Sequence, residues 1–368
     1  MTPVRVLVLT VVHDPEDARI RHRQLAALVD AGHAVTYAAP FEAYGRTSPV
    51  PAIDLPRASG RRRLAAVRAA RRVLRSHGPG ADVILLHDPD LLAALPGTLR
   101  RLRGTVVVWD VHEDTAAAIG IRGWIPRPLR APFRWAVRRA ESWAERRIRL
   151  LLAEHSYADR FSRPHPVVPN SVLVPRAEPP LPGGDRVVYL GRLTHARGAV
   201  ELIEVGRRLA VDSGVHLDVI GPADGDVVPL LEQAQADGAL TWHGFVPNDQ
   251  AHRMLAGATA GLSLLHDEPN YAESRPTKIM EYMAHGVPVV TTPNPASRAL
   301  VDASGCGVVV PFGNVDAAVA AISHLATDES ARTRCARAGR VTAVAELDWS
   351  RDAERFVAVL EGWVTQQG

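Results

Sequence analysis

Short, unbroken apolar runs alternate with amphipathic helical stretches along this chain, and the alternation happens twice. Val4 to Val11 reads as a strand, Arg19 to Ala31 as a helix and His33 to Ala39 as a strand, with Gly32 at the helix stop. Arg61 to His77 then reads as helix, Val83 to His87 as strand, Asp90 to Leu102 as helix and Thr105 to Val111 as strand. After the proline-rich stretch VVPNSVLVPRAEPPLPGGD the order restarts, with strands at Val187 to Leu190, His216 to Ile220 and Leu240 to Trp242 and helices at Ala199 to Asp212 and Pro229 to Asp237. Strands that are apolar on both faces need cover on both faces, so the pattern predicts an α/β chain of two Rossmann-like, doubly wound parallel-sheet domains. The proline-rich stretch is the linker. The expected division is 1–168, a linker at 169–185, a second domain at 186–348, and an amphipathic helix at 349–368.

At 368 residues, with 46% hydrophobic and 23% charged residues, the chain has room for two cores of ordinary globular composition. Cys306 and Cys335 are the only cysteines, and their spacing fits neither a disulfide framework nor a zinc site. MTPVRVLVLTVVHD suits a first buried strand better than a signal peptide, and no apolar run approaches the roughly 18 residues that cross a bilayer. A cytoplasmic protein is expected, with a peripheral position at the inner membrane surface as an alternative. Charge divides unevenly, since residues 1–150 carry net +11 and the remainder −8. Arg122 to Arg149 holds nine arginines interleaved with Trp124, Trp135 and Trp143. Such a stretch reads either as a solvated arginine-rich helix or as a contact for an anionic membrane surface or a phosphorylated acceptor. No recognition motif accompanies the charge, so nucleic acid is not an expected partner.

The segment EPNYAESRPTKIMEYMAHGVPVV carries the most chemistry. Thr277 to Ala284 has helix-forming residues, Gly286-Val287-Pro288 stops it, and a strand follows from Val287 to Thr291. Glu273 then lies in the loop before the helix and Glu281 about one turn inside it. A helix start offers unpaired amides and partial positive charge to a phosphate, and flanking carboxylates can hold sugar hydroxyls. Of 43 basic residues other than histidine, only Lys278 is a lysine, and it falls inside this segment. It reads either as a compact ammonium required there or as a solvated helix charge.

This segment resembles the E-x7-E region of retaining glycosyltransferases of the GT-B fold, the group 1 or family 4-type set, and the likeness extends over most of the chain. VVYLGRLTHARG is similar to that family's strand and phosphate loop, with Gly191 and Arg192 matching and Arg197 standing where the family usually has lysine. The resemblance implies two domains facing a central cleft, with acceptor bound by the first and nucleoside diphosphate sugar by the second. It implies Arg192 and Arg197 on the diphosphate beside Gly191 and Lys278, with help from backbone amides around Pro276 and Thr277. It further places Glu281 on the ribose, Glu273 on the sugar hydroxyls, and no cofactor or metal.

ILLHDPDLL puts His87 directly after a buried strand, where the family has its HxP-type element. The resemblance gives that histidine a place near the reacting sugar and acceptor; alone, it would read as a strand-end cap. VVVWDVHEDTAAAIG sets Asp110, His112 and Glu113 at a second strand end, similar to the family's D-x-H-E element. Acceptor binding by His112 and Glu113 is one reading; capping by Asp110 and an ion pair from Glu113 is the other. The first loop departs from the family, having no glycine before Gly32. His13, Asp14, Asp17 and Arg19 occupy it, so a side-chain-lined acceptor site using Asp17 and Arg19 replaces close backbone approach, with helix capping by Asp14 or Asp17 equally open. The absence of Gly-x-Gly-x-x-Gly after either first strand argues against an NAD-dependent oxidoreductase. A GT-B sugar-nucleotide epimerase and a non-catalytic nucleotide-sugar-binding protein remain as alternatives to a transferase.

Overall fold

The structure, a computed structural model, describes residues 2–112, 127–268, 271 and 276–367. It divides into two compact units, Met1–Asn170 with Ser350–Gly368, and Ser171–Trp349.

The first unit is built on a six-stranded sheet of β1 (Arg5–Leu9), β2 (Ala34–Ala39), β3 (Ala52–Asp54), β4 (Val83–Leu86), β5 (Val106–Val111) and β6 (Arg149–Leu152). The order is β3-β2-β1-β4-β5-β6 and every pairing is parallel. Val6 sits opposite Val35 on one side and Val83 on the other, so β1 is central and buried on both faces. Leu9, Leu74, Leu86, Trp109 and Leu152 form part of the core on one face. The final helix, Trp349–Thr365, contributes Glu361, whose carboxylate lies 3.4 Å from His33 Nε2.

The second unit repeats the winding with β7 (Arg186–Leu190), β8 (His216–Ile220), β9 (Thr241–Trp242), β10 (Ala260–Ser263), β11 (Val289–Thr291) and β12 (Gly307–Val309). The order is β12-β11-β10-β7-β8-β9, again all parallel. In each sheet the first strand lies between the second and the fourth. Strand order therefore reverses beside it, and the loops leaving the carboxyl ends there splay apart into a crevice. These are the fold classes that the strand and helix pattern predicts.

Two helices differ from their sequence expectation. Asp90 to Leu102 is not one α-helix but two 3-10 turns, Pro89–Ala94 and Leu99–Arg101. Pro96 lacks the N–H a continuous helix would need, and Gly97 turns left-handed at φ 74°. Arg19 to Ala31 starts as a π-helix, Ala18–Leu25, before tightening to Ala26–Asp30. The wider turn buries Arg19, Arg23 and Gln24 together on the inward side. The basic stretch Arg122 to Arg149 falls partly outside the described residues; from Arg127 to Arg147 it is a helix.

Candidate functional site

In the N-terminal unit the segments after β1, β4 and β5 bring four polar residues, Arg19, Gln24, His87 and His112, around one carboxylate. Asp110, near the end of β5, is fully buried, and Arg19 grips it with both arms of its guanidinium, Nε to Oδ2 and Nη2 to Oδ1, each at 2.8 Å. Gln24 donates to Oδ2 at 3.1 Å, His87 Nδ1 lies 3.3 Å from the same oxygen, and His112 Nδ1 lies 3.4 Å from it. Burial alone would raise the Asp110 carboxyl, but the Arg19 cation overrides it and holds the group well below the usual range. For His87 burial wins, and the imidazole is pushed below its ordinary value despite Asp110. For His112 burial is outweighed by the same carboxylate, and its value rises. The two histidines thus differ in charge preference around one anion.

His87 follows β4 directly and is 1% exposed; neither ring nitrogen makes a hydrogen bond among the described residues. His112 Nε2 lies 3.0 Å from His13 Nε2, which is in turn 3.3 Å from Asp88 Oδ1. Asp88 accepts from the Thr10 hydroxyl at 3.0 Å and from the amides of Val11 and Val12. A carboxylate from the β4 loop therefore shapes the loop after β1, which lacks the glycines that would let it fold tightly by itself. Asp17 caps the π-helix, its Oδ1 accepting from Arg19 and Ile20 amides at 2.9 and 3.0 Å. Burial would raise its carboxyl, yet His13, His112 and the Ile20 amide lower it. Arg19 also donates to the Val168 carbonyl at 3.2 Å and is 4% exposed, so it works from beneath the cluster. Glu113 lies outside the described residues.

His87, Asp110 and His112 offer ligand-type atoms within 4.8 Å of one another. Both oxygens of Asp110 already accept from Arg19, so the anionic charge that would draw a metal ion there is met by a guanidinium.

In the C-terminal unit the crevice beside β7 gathers the second group. Gly191 leaves β7 at φ 119°, and a Cβ there would lie 3.6 Å from the Lys278 Cε. Gly221, at the end of β8, approaches so closely that a Cβ would stand 2.2 Å from the Gly191 carbonyl oxygen. Arg192 is half exposed and its guanidinium is held by Asp224, with Nε at 2.8 Å from Oδ1. Arg197 ends a 3-10 turn capped by Thr194 and donates to the Arg192 carbonyl at 3.3 Å. The Thr277–Ala284 helix starts at Pro276, and no side chain among the described residues caps its first amides. Pro276 itself has no N–H, so the amides without an intrahelical partner at this helix start are those of Thr277, Lys278 and Ile279.

Lys278 projects back under the loop. Its Nζ is buried, makes no hydrogen bond among the described residues, and sits 3.6 Å from the centre of the Tyr189 ring. Burial, with the Arg197 cation adding to it, pushes the ammonium well below the usual lysine value, and Glu281 opposes this. Glu281 stands one turn into the helix with His252 Nε2 3.6 Å away. Glu273 lies outside the described residues. Sequence reasoning placed His13 in the first loop without a role and missed Asp88 and Gln24, all of which act through the partners they hold; the acid between His87 and Pro89 is the one visible signal for Asp88. Tyr189 and His252 had none.

Arg197 is followed by Gly198 at φ 79°, where a Cβ would stand 2.1 Å from the Leu264 carbonyl oxygen. Gly198→Ala is expected to cost at least about 2 kcal/mol, because strain from the left-handed backbone and the clash add. Urea unfolding checks this; a loss below about 0.5 kcal/mol would mean the loop shifts freely.

Residues 176–342 match the family described as Glycosyl transferases group 1. The putative colanic acid biosynthesis glycosyltransferase WcaL of Escherichia coli K12 is 33% identical over 153 residues, 39% of this chain and 37% of that protein. The lipopolysaccharide core biosynthesis glycosyltransferase LpsE of Rhizobium meliloti is 29% identical over 51% of this chain and 54% of its own length. These matches span about a third to a half of the curated relatives. Among solved structures, the sucrose-phosphate synthase of Thermosynechococcus elongatus superposes with a TM-score of 0.72 at 16% identity, covering 99% of this chain and 100% of that one. HepE of Anabaena, solved with UDP and glucose, gives 0.70 at 14% identity, with 98% and 100% covered. The chain thus has the GT-B fold, and residues 176–342 of it match the glycosyl transferases group 1 family.

Proposed function

We propose that this protein is a retaining glycosyltransferase that moves a sugar from a nucleoside diphosphate sugar to an acceptor hydroxyl, without a metal ion. One observation carries the reading: a buried lysine ammonium with no hydrogen-bond partner among the described residues, beside Gly191, Arg197 and the first amides of the Thr277–Ala284 helix. A buried cation left in this state is costly, and a diphosphate would supply the missing charge and acceptors. HepE, a structural neighbour, has been solved with UDP-glucose, which supports a donor of this class.

The leaving diphosphate gathers negative charge as the sugar bond breaks. Arg192, Arg197, Lys278 and the amides of the Thr277–Ala284 helix would meet that charge from fixed positions, lowering the barrier. Glu281 would hold the ribose and Glu273 the sugar. In the N-terminal unit His87, kept neutral by burial, would accept a hydrogen bond from the acceptor or orient the sugar, with Asp110 fixing its ring. His112 and Glu113 would contact the acceptor, while Asp17 and Arg19 hold the floor beneath. The names of the relatives, colanic acid, lipopolysaccharide core and amylovoran biosynthesis glycosyltransferases, favour a glycan or lipid-linked acceptor. No helix among the described residues is long and apolar enough to cross a membrane. Peripheral contact is assigned to the Arg122 to Arg149 stretch, where Phe133 and Trp135 are exposed on a basic helix.

A thermal-shift panel of UDP, GDP, ADP, dTDP, CDP and NAD comes first. One nucleoside diphosphate should raise the unfolding temperature, and NAD should not. With the matching sugar conjugate, proton NMR of the product should show the donor's anomeric configuration, unchanged by prior dialysis against chelator. Arg192→Ala and Glu273→Ala are expected to reduce transfer at least about 100-fold with unfolding temperature unchanged. An inverted product, a chelator-sensitive rate, or full turnover in either variant would each remove the corresponding part of the proposal.

A further inference from the structure

The strand ends opposite the histidine cluster hold a second concavity within the N-terminal unit. It is a cavity of about 710 Å³ at the amino ends of β5 and β6, bordered by Arg103, Arg146, Arg147, Arg149 and Arg163. His87 and His112 follow the carboxyl ends of β4 and β5, so the length of a six-residue strand, roughly 20 Å, separates the two places.

The charge around this cavity is not balanced. Arg103, Arg146 and Arg147 are exposed and make no ion pair or side-chain hydrogen bond among the described residues. Glu145 is the single acid in the lining among the described residues, and its oxygens accept from the Ser162 amide and hydroxyl and the Arg163 amide, with His165 Nε2 at 3.2 Å. Those contacts hold its carboxyl below the usual range although burial acts the other way. The Arg163 guanidinium donates to the Glu145 backbone carbonyl rather than to a carboxylate. Arg149 lies 5.9 Å over the Trp363 ring and reaches Gln366 Oε1 at 3.4 Å, again without an anion.

Arg146 and Arg147 end a helix, and the helix dipole alone accounts for basic residues there. It does not account for Arg103 or Arg163, which come from two separate loops and meet the same cavity. Guanidiniums converging from a helix end, a strand start and two loops repel one another unless an anion sits among them. The volume lies within the roughly 300–1,000 Å³ that small-molecule sites occupy, and the shape is concave where a bilayer needs a flat or convex face. Leu102 and Leu150 in the lining give it an apolar floor.

We infer that this cavity is a binding site for a small polyanion carrying two or more phosphate-type groups, separate from both groups of site residues described above. Forked guanidiniums suit such oxyanions in a way a single ammonium does not, and the stretch supplies only arginine.

Inorganic tripolyphosphate is the probe. The full chain carrying Arg192→Ala, Arg197→Ala and Lys278→Met, which removes the cations of the C-terminal group, should still bind one equivalent by isothermal titration, more weakly as salt rises. Adding Arg103→Gln and Arg147→Gln should weaken binding at least about tenfold. Both positions are on the surface, and an unchanged unfolding temperature confirms that the fold persists. Arg103→Lys with Arg147→Lys should lose less, because charge is kept while the forks are lost. Absence of binding in the first background, or indifference to the glutamine pair, overturns the inference. Phosphatidylserine vesicles form the second arm. If they cosediment with the protein through these same two arginines while tripolyphosphate does not bind, the residues serve a bilayer and the small-ligand site is wrong.

Discussion

Replacing Asp110 by asparagine is expected to cost about 3–5 kcal/mol of folding stability, the range for breaking a buried ion pair from one side. The reason is what stays behind. Arg19 would remain 4% exposed with its fork aimed at a neutral amide, and the rings of His87 and His112 would lose the anion that lies within 3.4 Å of each Nδ1. The effect carries a pH signature. The folded Asp110 value lies well below its ordinary 3.8, so its contribution is complete above about 3.8 and drains away as pH falls through the folded value. Asparagine has no such titration, and the variant's stability should fall less steeply in acid than the parent's. Urea unfolding at neutral and acidic pH checks both. Adding Arg19→Met to Asp110→Asn should recover part of the loss, since the stranded cation is then gone. A neutral-pH loss under about 1 kcal/mol would show that the pair is solvated and not the floor of the site.

Lys278→Met should act in two opposite directions. Removing a buried cation that makes no hydrogen bond among the described residues is expected to raise unfolding stability by on the order of 1 kcal/mol, even after the contact with the Tyr189 ring is lost. The same change should weaken the nucleoside diphosphate by about tenfold or more, the worth of a charge-assisted phosphate contact. Differential scanning calorimetry with and without UDP, or whichever diphosphate the panel selects, reads both numbers in one series. A variant that is less stable and binds the diphosphate as well as the parent would assign Lys278 to packing. Few substitutions separate storage of binding energy from structural support so directly.

How much of this was legible beforehand depends on distance along the chain. The helices Ala199–Asp212 and Thr277–Ala284 have the bounds their patterns predict, because apolar period, helix stop and following strand are all local signals. The 3-10 turns around Pro96 differ from the expected helix because the apolar period of Asp90 to Leu102 is helical while Pro96 and Gly97 are not. The Asp110 network was not legible as a network. Arg19 and Asp110 are 91 residues apart, and nothing local in ARIRHR says that one arginine turns inward. The π-helical start that buries Arg19, Arg23 and Gln24 together is likewise a tertiary result. Lys278 stood out by composition, as the single lysine, but its place beneath Gly191 depends on β7 and the helix sharing one crevice.

The division of the chain gives the order of synthesis and the order of completion different meanings. The N-terminal unit takes its last helix from the far end of the polypeptide, whereas the unit between 171 and 349 is contiguous. On the ribosome, β1 to β6 emerge first yet wait for some 200 residues before Glu361 can reach His33 and Trp363 can cover Arg149. The domain made second can close first. Until then the older half holds an open seam, and a chaperone that binds exposed apolar surface would find its target there rather than in the newer half.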